Sequence, residues 1–216
     1  MIDLDFAVED VLVARNSAIP TLLFRLRVNN SEPDTAVENV MLQVQLRIEA
    51  THRNYTARER ERLIDLFGSA EDWDRALRNV MWTNASVLVP AFYEICTVEL
   101  AVPCSYDFDL AATKFFYAVE TGDVPLLLLF SGTMFFRNDN GELQIGQVAH
   151  HKQALYRLPV PVWQRMMEEC HHDSVWLRID RELFEEIYRF KRERRLGSLN
   201  DALQRLTELA SAEAQE

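Results

Sequence analysis

Leu22, Phe24, Leu26 and Val28 alternate with polar positions, and Val40, Leu42, Val44, Leu46 and Ile48 repeat the pattern. A period of two is what a strand with one buried face requires, because successive side chains point to opposite sides of the pleat. The outward positions Arg25, Arg27, Gln43, Gln45, Arg47 and Glu49 are polar, so an antiparallel sheet wet on one side is expected. NNSEPDT supplies turn formers between the runs, which therefore begin a β-meander or one half of a sandwich.

Strand character returns over roughly 82–102, where Cys96, Val98, Leu100 and Val102 point inward and Pro90 marks an edge or a break. VPLLLLFSGTMFF, the turn RNDNG and ELQIGQV read as a core hairpin, with Gly146 as a candidate bulge. Between these runs the period changes. YTARERERLIDLFG opens on a capping box, Thr56 with Glu59, and closes at Gly68. SAEDWDRALRNV follows with Ser69 as N-cap, and Ala111, Ala112, Phe115, Phe116 and Val119 form a second inserted helix. From Val160 the pattern is helical: VWQRMMEEC, RELFEEIYRFKRERR ending at Gly197, and a Ser198-capped helix carrying Leu199, Leu203, Leu206 and Leu209. The expected fold is α+β, mainly β: an antiparallel β-sandwich with helices inserted after the third strand and near 107–120. Residues 1–159 form its core, and 160–216 a C-terminal helical segment packed on it, in one structural unit.

Of the 216 residues, 48% are hydrophobic and 26% charged, ordinary values for a globular chain. The longest apolar run, VPLLLLF, is far short of the roughly 20 residues of a spanning helix, so membrane insertion is not expected. MIDLDFAVED lacks the basic start and apolar core of a signal peptide, and three cysteines without a CxxC read as reduced thiols. A cytoplasmic location is the expectation. The formal charge of −11, from 34 acids and 23 bases, argues against nucleic acid as a partner, because affinity there comes from neutralising phosphates. KRERR at 191–195 reads as cations facing the negative end of a helix dipole.

The residues nearest to chemistry are the histidine pairs in AHHK and CHHDSVW. Trp163, Met166, Met167 and Cys170 share one helical stripe, which assigns Cys170 to the core and leaves His171 and His172 at the helix end. Neighbours on a helix or a strand diverge, so neither His150 with His151 nor His171 with His172 can chelate as a pair, and no ligand spacing such as HxxxH supports a site. No metal, cofactor or catalytic residue is expected. Ser131 sits in a strand-like run rather than at a nucleophile elbow, and Asp107 and Asp109 read as helix caps. With six glycines and no phosphate-binding loop, nucleotide chemistry has no anchor.

The succession LLFRLRVNN, VMLQVQLRIE, LIDLFG, MWTNASVLVPAF, VPCSYDF, VPLLLLFSGTMFF, PVWQRMM and SVWLRI resembles an uncharacterised bacterial domain-of-unknown-function family over about residues 5–195. The resemblance implies a cytoplasmic protein sometimes encoded among uptake nickel–iron hydrogenase genes, and it brings no catalytic residues. CHH at 170–172 departs from the aromatic-Pro-Asn type of turn that the resemblance leads one to expect. The function expected is that of a non-enzymatic accessory or scaffold protein acting through protein contacts, in assembly or support of a redox enzyme such as a hydrogenase. The alternatives are a binding module for an apolar ligand or an unfolded segment, and a metal-binding protein using the histidine pairs.

Overall fold

The two alternating runs form β2 (Thr21–Asn30) and β3 (Val37–Ile48), with their inward residues buried, but they lie in different sheets. NNSEPDT is therefore a crossing between layers and not a meander turn. Asn30 holds it, its buried side-chain amide donating to the carbonyls of Glu32, Thr35 and Tyr93. The computed structural model describes residues 2–15, 17–69, 71–105, 107, 110–138, 140–170 and 179–213, in two compact units, Met1–Val175 and Trp176–Glu216.

In the first unit, one sheet runs β1 (Leu4–Val13), β2, β5 (Ile95–Pro103). The other runs β4 (Val80–Val89), β3, β6 (Asp123–Arg137), with β7 (Leu143–Gln147) and β8 (Gln153–Pro159) sharing the far edge of β6. Every pairing is antiparallel. The crossings from β2 to β3 and from β4 to β5 give the Greek-key arrangement of immunoglobulin-like sandwiches. The inner faces meet through Leu22, Phe24 and Leu26 on one side and Leu42, Val44 and Leu128 on the other, and Phe6 stacks on Phe130 with centroids 4.4 Å apart.

Two glycines serve packing here. A Cβ on Gly132, where β6 passes from β8 to β7, would lie 2.3 Å from the Met41 carbonyl oxygen. Gly146 is in regular register with Met134, not in a bulge, and a Cβ there would meet the Met134 methyl at 2.7 Å.

The first insertion holds a 3-10 turn (Ala50–His52), α1 (Ala57–Arg62), α2 (Ile64–Phe67) and α3 (Trp73–Ala76). The capping box forms: the Glu59 N–H donates to the Thr56 hydroxyl, and the Thr56 N–H donates to the Glu59 carboxylate. Gly68 closes α2 at φ +76°, in the left-handed region that glycine enters without a Cβ clash. Asp72 rather than Ser69 is the N-cap of α3, and Leu110 rather than Asp107 is the N-cap of α4 (Ala111–Ala118); Asp109 lies outside the described residues.

α5 (Val160–Cys170) carries Pro161 in its first turn, where a missing N–H goes unnoticed; it packs on β1, β2 and β8 and buries Trp163, Met166 and Met167, with Trp163 against Phe116 and Tyr117 of α4. It thus clusters with the sheets, whereas the expectation from sequence grouped it with the residues after 159. In the second unit α6 (Arg181–Glu193) packs on α7 (Leu199–Glu213) through the buried Ile187 and Ala202. Ser198 and Asp201 exchange backbone-to-side-chain bonds at the start of α7, and Lys191 and Arg192 occupy the last turn of α6.

Candidate functional site

The histidines come first. His150 and His151 stand exposed on the 149–152 turn after β7, with ring planes at 88° and centroids 5.9 Å apart. His52 pairs with Glu49 at 3.1 Å, while His171, His172 and Asp173 lie outside the described residues. Among the described residues no group of three or more His, Cys, Asp and Glu is placed to hold a metal ion. Lys152, at the end of the same turn, is buried and reaches Asp3, just before β1, and Asp5 of β1 at 2.6 and 2.8 Å, clasping the two sheets together.

The cysteines divide differently from the sequence reading. Cys170 is only half-buried, because it is the last residue of α5, beyond the turns whose Trp163, Met166 and Met167 face the core. The fully buried thiol is Cys104, 3% exposed, which burial pushes up to about 12. Since the thiolate is the reactive form, a disulfide reagent near pH 8 is expected to modify Cys96 and Cys170 well before Cys104 in the native protein, as peptide mass mapping would record. Labelling of Cys104 at the rate of the other two would contradict the burial.

The outer faces of the two sheets are built on different principles. On the β1–β2–β5 sheet charges alternate across strands: Asp10 opposes Arg25, Arg25 opposes Glu99, and Glu9 lies 3.7 Å from Arg27. Such cross-strand pairs suit a solvated face. The outer face of the β4–β3–β6 sheet has no such ladder. One row across it reads Leu88, Met41, Thr133, Gln147, and the row three positions along reads Met81, Arg47, Leu127, Leu155. Between them lie Ser86, Gln43 and Ser131, then Asn84, Gln45, Leu129 and Gln153.

This face exposes large apolar groups: Met41 60%, Leu88 64%, Ile145 67% and Leu155 74%. Of the carboxylates in its strands, Glu38 is taken by Arg137 at 2.6 Å, and Asp123 is the first residue of β6. Arg47 and Arg157 are exposed and make no ion pair among the described residues; the Arg47 Nε donates to Gln45, and Glu49 lines the same depression as Arg157. Three shallow depressions line up along β3: 680 Å³ between Met41, Leu88 and Phe135, 630 Å³ between Gln43, Ser131 and His150, and 550 Å³ between His52, Leu155 and Arg157. Ser131 is thus a face residue opposite Gln43. The signal in sequence was an absence, since VMWTNASVLV and VPLLLLFSGTMFF contain no charged residue in a chain that is 26% charged.

A face depleted in Asp, Glu and Lys but carrying Met, Phe and Arg has the composition of a protein interface core. Among the described residues no helix is long and apolar enough to cross a membrane.

The model of DUF6084, a family of unknown function, matches residues 1–215. The chain belongs to this family. No curated protein matches the DUF6084 chain. Among solved structures it is similar to a protein assigned as ApaA from Bordetella pertussis, at 12% identity over 73% of this chain and 95% of that one, with a TM-score of 0.29. It is also similar to IrmA from Escherichia coli, at 8% identity over 83% and 99%, TM-score 0.30. A protein assigned as late embryogenesis abundant (LEA) matches at 15% identity over 72% and 71%, TM-score 0.29. Scores this low carry nothing over to the chain.

Proposed function

We propose that this DUF6084 chain is a non-enzymatic accessory protein that acts by contact, seating another protein on the outer face of the β4–β3–β6 sheet. The observation behind the reading is the contrast between the two sheets, one with a solvating charge ladder and the other with a partly apolar face whose few charges lie at its ends. A component of redox-enzyme assembly, such as a hydrogenase, is the partner class suggested by the sequence resemblance. A second reading, a site for a small apolar ligand, draws on the depression between Met41, Leu88 and Phe135, whose 680 Å³ is in the range of ligand pockets.

The test is purification of the tagged chain from its native host, as wild type and as the double variant Met41→Asp, Leu155→Asp. Both positions are more than half exposed, so the variant should unfold within about 0.5 kcal/mol of wild type by urea titration. The expected result is a reproducible partner that the variant no longer retains. A partner set unchanged between the two proteins would remove the sheet face from consideration.

A further inference from the structure

We draw no further inference here: the strongest candidate, the exposed apolar stripe of Leu183, Phe184 and Tyr188 on α6, stands among charges of both signs on that helix, and nothing in the structure shows what covers it.

Discussion

Replacement of Glu59 by alanine is expected to destabilise the fold by about 3–5 kcal/mol, a large part of what an ordinary domain possesses. The carboxylate is 1% exposed and accepts from the Arg53 guanidinium at 2.6 Å, from the Thr56 N–H at 2.9 Å and from the Glu120 N–H at 2.9 Å. Alanine removes three acceptor contacts and strands the Arg53 side chain, itself 8% exposed, whose Nε and Nη1 already lack hydrogen-bond partners among the described residues. The cost lies in the orphaned cation more than in the lost attraction, so the double variant Arg53→Met, Glu59→Leu should recover most of the loss. Guanidinium denaturation followed by tryptophan fluorescence measures both. A Glu59→Ala protein within about 1 kcal/mol of wild type would show that the arginine finds other partners.

The same group predicts an acid limb. Burial pushes the Glu59 carboxyl up, but the bonds from the Thr56 and Glu120 N–H groups and the charge of Arg53 outweigh it and hold the carboxyl below its ordinary value of 4.5. A depressed folded pKa gives stability that is fully present above the unfolded value and lost as pH falls through the folded one. The wild-type protein should therefore lose stability below pH 4.5, and Glu59→Gln should show a shallower decline over that window.

Phe116→Ala should cost a similar amount, about 3–5 kcal/mol, for a different reason. Phe116 is 2% exposed and stacks on Trp163 of α5 at 5.2 Å; it also meets Trp82 of β4 at 4.8 Å and Phe115 at 6.3 Å. The seam continues from Phe115 to Tyr55 and Phe67, and from both of these to Trp73. Deleting the ring opens a cavity among large planar groups that cannot collapse together without moving a helix. Phe116→Leu, which keeps most of the volume, should cost less than half as much. Equal losses for the two variants would mean that ring geometry, not volume, carries the energy.

Much of the sandwich was legible because a wet-faced strand writes a period of two, and the central β2 and β3 do so cleanly. The edges were harder to read. In β1 the pattern of LDFAVEDVLV is interrupted by a register shift between Val8 and Asp10, which hides the strand. In β8 the alternation of QALYRLP is short and follows directly on the histidine turn. Pairing was illegible too, since nothing local tells β2 that its neighbours are β1 and β5 while β3 joins β4 and β6. The capping box of α1 was readable from spacing, but the third bond of Glu59, to Glu120, spans 61 residues and leaves no periodic trace. Cys170 was assigned to the core because stripe arithmetic says which face a residue is on and not how far along the helix the covering layer extends. The candidate face was visible only as missing charge.

That long-range bond has a consequence for how such a chain can change over time. Glu59 belongs to the insertion between β3 and β4, and Glu120 to the one between β5 and β6. Arg53 also donates to the Thr121 carbonyl, and Arg58 and Arg62 both hold the Glu120 carboxylate, at 3.1 and 3.0 Å. Each insertion supplies partners that the other leaves buried or charged, so neither is a removable ornament on the sandwich. Lineages that shorten one should be found to have rebuilt the other, and a chimaera grafting this helical crown onto a bare sandwich would have to transplant both pieces in a single step.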